Sequence, residues 1–477
     1  MFKSRTHQLL TLTIALSAMA GCAKQANLAQ APVGQALAKP ATTSGLFNDG
    51  LKAPAKATKA NYSVQALLQY EHLLGAPFAD APNSNKDQTN PQLAYNSQDD
   101  TYLVVWQQNG NLRGRIKDAH GVEQVPDFGV SGNGDITEDH KAAYIPWLNQ
   151  FAVVYSKYNG TDDDIYLQRL STSGAKIGNA IPISKASGNQ RSADLAVDPI
   201  NHNLEVVWED DRSGDYDIYS RLITFNGNQT VFLTNEMLIG NDAPDPDNHF
   251  TTSDQRRPTI AFGTGQQVYV VAWEDYRNDD NDMVTSGIDI FGTVLNANGI
   301  PTTSNYAISD LEEDQTEPSI AYMPCSDKFL LAYGSANNGE SDRDLLASGL
   351  DGDGSVLGYG TISNQFGMQR DPAVAANATS MTWLVAFQED GPTEDMPSHI
   401  NGRHIGWAFQ LGDIFPITPN DPDFNRDPAV TANTDDQEFL VDYEDAKMAA
   451  ETQPAPPLTP SIDGESFIEG QRVDRGY

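Results

Sequence analysis

The sequence predicts an all-β fold: a seven-bladed β-propeller with four antiparallel strands per blade. Three observations predict it. A strand-like core recurs seven times, as YLVVW (102–106), FAVVY (151–155), LEVVW (204–208), YVVAW (269–273), FLLAY (329–333), WLVAF (383–387) and FLVDY (439–443). Each copy follows a second short apolar element. The last residue of the first element lies seven residues before the first of the second in every copy (95 to 102, 144 to 151, 197 to 204, 262 to 269, 322 to 329, 376 to 383, 432 to 439). The units start near 91, 140, 193, 258, 318, 372 and 428, which is 49 to 65 residues apart and room for four strands each.

Taken in chain order, residues 1–22 read as a signal peptide. Lys3 and Arg5 precede an apolar run from Leu9 to Ala18 that is too short to span a bilayer. The stretch SAMAGC ends on Cys22 and resembles the lipobox of bacterial lipoproteins, whose cysteine becomes the lipidated first residue. Met19 stands where that motif usually has Leu, so cleavage by an ordinary signal peptidase is the alternative. Residues 23–60, rich in Ala, Pro, Gln, Lys and Thr, read as a disordered tether with five Lys and one acid. That leaves 23 basic and 64 acidic residues in 61–477, the predicted propeller.

The two recurring elements are β-branched or aromatic and are joined by Asn, Asp, Ser or Gly. They form strands a and b of a hairpin. Strand b is apolar on both parities, as in Tyr102, Val104 and Trp106 against Leu103 and Val105, which predicts burial on both faces. Strand c follows in DIYLQRL (164–170), DIYSRLI (217–223), DIFGTVL (289–295), DLLASGL (344–350) and HINGRHI (399–405). Strand d follows in NAIPIS (179–184), NYAIS (305–309), YGTIS (359–363) and IFPIT (414–418). The seventh unit has a strand c, SFIEGQRVD (466–474), and no strand d after it. The stretch at 72–91 resembles a d strand with its exit loop, so an N-terminal strand is expected to complete the seventh blade and close the ring. Asp442 occupies a slot that is Val or Ala in the other blades.

In such a blade the b–c and d–a loops share one face. The b–c loops carry WEDDRSGDYDIY (208–219) and WEDYRNDDNDMVTSGIDIF (273–291), and the d–a loops carry Gln/Arg echoes such as SDQRRP (253–258). Two readings apply to these acids. In the first, Arg212 and Arg277 pair with neighbouring carboxylates and Asp217 and Asp289 accept turn N–H groups. In the second, the acids hold Ca²⁺, with Glu209, Asp210, Asp211, Asp215 and Asp217 in blade 3 and Asp275, Asp279, Asp280, Asp282 and Asp289 in blade 4. No loop has the DxDxDG spacing. The net charge of −35 excludes nucleic acid as a partner. A protein or glycan at the cell envelope is expected, with a monomeric propeller and the membrane engaged through the lipid alone. If Cys22 is lipidated, Cys325 has no intrachain disulfide partner.

The pattern P-x-[IV]-A-Y, [YF]-L-V-V-W-E-D-x-R and D-I-Y-x-R-L resembles repeats of bacterial secreted and surface lipoproteins built as seven-bladed propellers. The resemblance covers about 70–477. It implies an outer-membrane or cell-surface location, with the periplasm as second choice, and carries no activity. No G-x-S-x-G, H-E-x-x-H, Walker A or dinucleotide fingerprint is present. His399 and His404 are five apart on a strand, hence on opposite faces. Two functions follow. One is a surface-tethered binding scaffold with calcium on its acidic rim. The other is a carbohydrate-active hydrolase or lyase using carboxylates on the propeller face. Acids repeated from blade to blade favour the first, and unmatched residues near the axis favour the second.

Overall fold

The computed structural model describes residues 73, 78–79 and 87–474, apart from 136, 242–252, 278–286, 337–342, 366, 392–395, 420, 422 and 447–465. Cys22 and the tether lie outside the described residues. The chain forms seven antiparallel sheets in a ring, a seven-bladed β-propeller, with no helix among the described residues.

Blades 1 and 2 comprise Gln88–Asn96, Thr101–Gln108, Asn111–Asp118 and Glu123–Gly129, then Thr137–Ile145, Gln150–Tyr158, Asp163–Ser171 and Lys176–Ser184. Blade 3 has Gln190–Asp198, Asn203–Asp210 and Asp217–Asn226, with strand d split into Gln229–Phe232 and Met237–Gly240. Blade 4 has Gln255–Gly263, Val268–Asp275, Asp289–Asn296 and Tyr306–Ser309. Blade 5 has Gln315–Met323, Lys328–Ala336, Arg343–Asp351 and Val356–Ser363. Blade 6 has Gln369–Asn377, Thr382–Glu389, His399–Gly406 and Leu411–Pro416. Blade 7 has Phe424–Asn433, Glu438–Ala446 and Ser466–Val473, and its fourth strand is Phe78–Ala79.

That last pairing closes the ring, as expected from the missing d strand. Phe78 pairs with Gly470, Ala79 with Glu469, and Leu73 bridges Val473. Closure is also hydrophobic. Leu93, Tyr95, Val104 and Trp106 of blade 1 pack on Ala429, Leu440 and Ile468 of blade 7. The other inter-blade cores repeat this scheme, as where Ala152, Val154 and Leu167 of blade 2 meet Leu204, Val206 and Trp208 of blade 3. Each strand b is therefore covered on both faces. An aliphatic chain so buried contributes roughly 1.5–3 kcal/mol, and truncating a buried Trp such as Trp208 costs about 3–5 kcal/mol.

The constant seven-residue spacing has a backbone cause. The residue before strand b adopts a left-handed conformation in all seven blades: Asp100, Asn149, His202, Gln267, Asp327, Met381 and Gln437, with φ of 50–61°. Four of these a–b turns begin with a side-chain cap. The Oδ1 atoms of Asn96, Asp198, Asn377 and Asn433 accept the N–H groups two and three residues on, at 2.8–3.2 Å. One fixed turn leaves no freedom in length.

Strand a begins earlier than its Pro suggests. In six blades it starts on the residue three before the anticipated position, and in blade 7 four before. Every strand a carries a bulge at that point. A bulge accommodates a Pro that a regular ladder excludes.

Candidate functional site

At the bulge a non-glycine residue takes a left-handed conformation in six blades: Asn90, Ser192, Arg257, Glu317, Asp371 and Asp427, with φ of 49–59°. Such a conformation costs about 1–3 kcal/mol per residue and persists only where the surroundings hold it. In blades 4, 5 and 6 a carboxylate of the preceding blade holds it. Glu209 Oε2 accepts the Arg257 N–H at 2.9 Å, Glu274 Oε1 accepts the Glu317 N–H at 2.8 Å, and Glu317 Oε2 accepts the Asp371 N–H at 2.9 Å. Glu209 and Glu274 occupy one repeat slot, opposite Arg191 and Arg256 in their ladders. In blade 5 that slot is Gly334, opposite Thr316. The Arg343 side chain lies against Gly334, 2.9 Å from where a Cβ would stand. Glu317 itself then supplies the carboxylate and pairs with Arg343 at 2.8 Å.

These residues converge on the propeller axis, on the face of the b–c and d–a loops. Arg257 of blade 4 lies 3.6 Å from Glu274 and 3.9 Å from Glu317 of blade 5. Asp371 of blade 6 is within electrostatic reach of Arg257, Glu317 and Asp427, which belong to blades 4, 5 and 7. Groups from blades two apart meet only near the axis. On the other side, Ser192 donates to Asp139 at 3.2 Å, and Asp139 acts on Glu209. The mouth thus carries a group of half-buried or buried carboxylates, with Asp139 and Arg257 exposed among them. At the opposite end of strands a, a cavity of 470 Å³ is lined by small and aromatic residues including Ala94, Ala143, Tyr95 and Tyr144.

The carboxylates at the mouth are not alike. Burial, reinforced by Glu317 and Asp427, pushes Asp371 up to about 7. Burial also raises Asp427, with Arg426 opposing it. Glu209 and Glu274 are raised by burial, against the pull of the Arg257 N–H on the first and the Arg257 charge on the second. Asp371 therefore keeps its proton to higher pH than an ordinary carboxyl, beside other carboxylates, an arrangement suited to proton transfer.

The acids singled out in the b–c loops are placed differently from one another. Asp210 and Asp275 are fully buried. Asp210 accepts the Trp208 indole N–H at 2.8 Å and the Arg212 Nε–H at 2.8 Å. Asp275 accepts the same groups from Trp273 at 2.9 Å and Arg277 at 2.7 Å. Each guanidinium then lies over an aromatic ring of strand c, Arg212 over Tyr219 at 4.2 Å and Arg277 over Phe291 at 4.1 Å. The repeated W-E-D-x-R and D-I-[YF] pieces are thus two halves of one clamp, joined by the side chain of Arg. Asp211 caps the preceding d–a loop by accepting the Asn189 N–H at 2.6 Å. Asp217 accepts the Ser213 hydroxyl at 2.5 Å, and Asp289 is buried in register with Asp275. Asp215 is half-buried in the turn between them. Asp279, Asp280 and Asp282 lie outside the described residues. Of the described residues among those singled out from the sequence, only Glu209 belongs to the axial mouth.

Sequence reasoning misses Arg257, Glu317, Asp371 and Asp427 as a set. Their signal is present in the d–a echoes, where each immediately precedes a Pro. Reading that Pro as the start of strand a leaves the residue before it in a loop.

Fold and site together define a closed β-propeller with a polar, charged mouth on its axis. No family model matches the sequence, and no curated protein matches it. Solved propellers resemble it in shape. The α-L-arabinofuranosidase of Fusarium graminearum, in a mutant form bound to an iminosugar inhibitor, is 10% identical, with 72% of this chain and 96% of that chain covered and a TM-score of 0.47. The α-L-arabinanase of Penicillium chrysogenum is 11% identical over the same shares, also at 0.47. The Cps50 (Swd1) β-propeller domain of Myceliophteria thermophila is 7% identical, covering 84% and 99%, at 0.46. These are likenesses of fold.

Proposed function

We propose that the protein is a lipid-anchored propeller of the bacterial envelope that binds a glycan at its axial mouth, with Cys22 as the anchor. The observation that carries the binding reading is the bulge slot. Its flanks repeat, with a Gln or Asn two residues before it in six blades, whereas the slot itself holds Asn90, Asp139, Ser192, Arg257, Glu317, Asp371 and Asp427 in turn. A position that repeats in backbone and differs in side chain suits one specific ligand on the axis better than a uniform ionic rim. Carboxylates and a guanidinium within a few ångströms of each other match the hydroxyl pairs of a sugar, which donate to the first and accept from the second. The surplus of acids disfavours a polyanion.

The anchor rests on the lipobox-like SAMAGC alone. Cys325 is the sequence's other cysteine. Lipidation of Cys22 leaves Cys325 as the one titratable thiol, so a thiol count on the exported, denatured protein should find one per chain, and a count of none or two would remove the anchor.

A second reading of the mouth, glycoside hydrolysis, is favoured by Asp371 alone. A carboxyl raised to about 7 stays protonated through mildly acidic pH and serves as a general acid, while an ionised neighbour at the mouth acts as base or nucleophile. The test is a glycan array together with a glycosidase substrate screen on the full chain, Arg257→Ala and Asp371→Asn. Binding by the parent that falls at least tenfold in Arg257→Ala supports the axial site. Turnover that declines above about pH 7 and vanishes in Asp371→Asn, with binding retained, selects hydrolysis. A parent that retains no glycan, or an Arg257→Ala variant that binds as the parent does, overturns the reading.

A further inference from the structure

The other end of the axis, at the a–b turns, carries a cavity that plays no part in the glycan site. It measures 470 Å³, within the roughly 300–1,000 Å³ of small-molecule pockets. One repeat slot that varies in size shapes it. The residue of strand a that pairs with the first apolar residue of strand b is aromatic in four blades, as Tyr95, Tyr144, Phe262 and Tyr322. In blades 6 and 7 the same slot holds Ala376 and Ala432. The cavity is lined by these two alanines together with Tyr95 and Tyr144, on the side of the axis where the small residues stand.

The two aromatic walls are fixed by bonds that cross blade junctions. The Tyr95 hydroxyl donates to Asp100 Oδ1 at 2.9 Å, and Asn433 Nδ2 of blade 7 donates to the same oxygen at 3.2 Å. The Tyr144 hydroxyl donates to Asn149 Oδ1 at 2.9 Å, which also accepts from Asn96 Nδ2 of blade 1 at 3.1 Å. Asn149 Nδ2 in turn donates to Asp99 Oδ2 at 3.2 Å. The rim is acidic. The turns that contribute Ser97 and Thr434 to the wall also carry Asp99, Asp100, Asp435 and Asp436. Asp100 and Asp435 act on the Tyr95 hydroxyl and Asp99 acts on that of Tyr144, so these charges stand within reach of both rings. No Lys or Arg pairs with any of the four acids among the described residues. Arg472, which acts on the adjacent Tyr102, is engaged by Glu438 at 2.6 Å. No cationic side chain lines the cavity itself.

We propose that this cavity binds a small organic cation with an apolar body, a quaternary or protonated amine, seated against Tyr95 and Tyr144 in the space left by Ala376 and Ala432. Aromatic rings attract a cation through their π-systems. The alanines accept the apolar part, and the rim carboxylates, which have no cationic partner, supply the counter-charge. An anion meets only like charge there, and a neutral molecule of the same shape forgoes the electrostatic gain. The site is independent of the glycan reading and shares no residue with it.

The test titrates the full chain by calorimetry with three probes that share a ring: benzyltrimethylammonium, neutral benzyl alcohol and anionic benzoate. The expected result is one benzyltrimethylammonium per chain, with at least tenfold weaker binding of benzyl alcohol and none of benzoate. Ala376→Leu and Ala432→Leu, made separately, fill the cavity from two blades, and thermal unfolding followed by circular dichroism identifies the variants that fold. Each folded variant should bind the cation at least tenfold more weakly than the parent. Tyr144→Leu, which removes an aromatic wall and keeps the rim charges, should weaken the cation more than the alcohol. Equal binding of cation and alcohol by the parent would overturn the proposal. Cation binding that survives the filling substitutions would place the ligand elsewhere and overturn it, as would a parent that binds none at millimolar concentration.

Discussion

Glu205 offers a sharp test of how blade 3 is held together. In the other blades its slot on strand b is Leu103, Ala152, Val270, Leu330, Leu384 and Leu440, all of them fully buried. Glu205 is equally buried, and neither carboxyl oxygen has a hydrogen-bond partner. Its Oε2 is wedged against Gly299, 2.7 Å from where a Cβ would stand. Burial pushes the carboxyl up to about 8 from an ordinary 4.5, with the nearby Ser220 offering slight relief. The sign follows from proton binding. Below about pH 4.5 the group is protonated in both states and costs nothing through ionisation. Between 4.5 and 8 the folded state holds the proton that the unfolded state has lost, so stability falls as pH rises. The full difference is about 5 kcal/mol at pH 8 and above, and about 3 kcal/mol at pH 7. Replacing the group by Glu205→Leu, or by the uncharged isostere Glu205→Gln, should remove that dependence. Urea unfolding of parent and variants at about pH 4.5, 6, 7 and 8.5 measures it. The stability difference between parent and variant should widen with pH by several kcal/mol, whatever other groups titrate in both. A difference that stays constant across the series would show that this carboxyl ionises freely in the fold and would refute the reasoning.

Two further outcomes are expected. Asp210→Ala strands both the Trp208 indole and the Arg212 guanidinium, and Arg212 keeps only Glu236 at 2.7 Å as an anionic partner. It should cost about 3 kcal/mol, equally with and without Ca²⁺, by chemical denaturation; a Ca²⁺-dependent loss would return the blade 3 acids to a metal-binding role. Cys22→Ser should move the protein from the membrane to the soluble fraction after cell lysis and ultracentrifugation, and unchanged fractionation would remove the lipid anchor.

The propeller was legible because its most informative signals are short-range and repeated. The seven-residue interval between strands a and b survives in every blade because one turn, with a left-handed residue at its end, is built seven times. Closure was legible as arithmetic, since a blade with three strands requires a fourth from somewhere. The mouth was less so. Carboxylates are common in this chain, and what separates Asp371 from Asp211 is where the backbone aims them. A bulge sets that aim, and it shows in the sequence only as a residue before Pro. The slot shared by Glu209 and Glu274 was visible in W-E-D, yet its acceptor role depends on an N–H of the next blade, far along the chain. Asp442 stood out by residue type. It is fully buried, on the same side of its strand as Leu440, at the junction with blade 1.

The pairing of Phe78 with Gly470 joins two ends of one covalent chain that are 392 residues apart. Order of synthesis then governs order of folding. Blades 1 to 6 can assemble from neighbouring segments as they emerge, since each of their sheets is contiguous in sequence. The seventh sheet must wait for its last strand, while the strand that completes it has been present since the beginning. Pairing over so long a loop is slow. Until it happens, blade 7 presents an unpaired edge and blade 1 an uncovered apolar face, the features that invite association with other chains. A protein of this design has its most vulnerable interval at the very end of synthesis, and a chaperone acting on it would have most to do at the junction of blades 7 and 1.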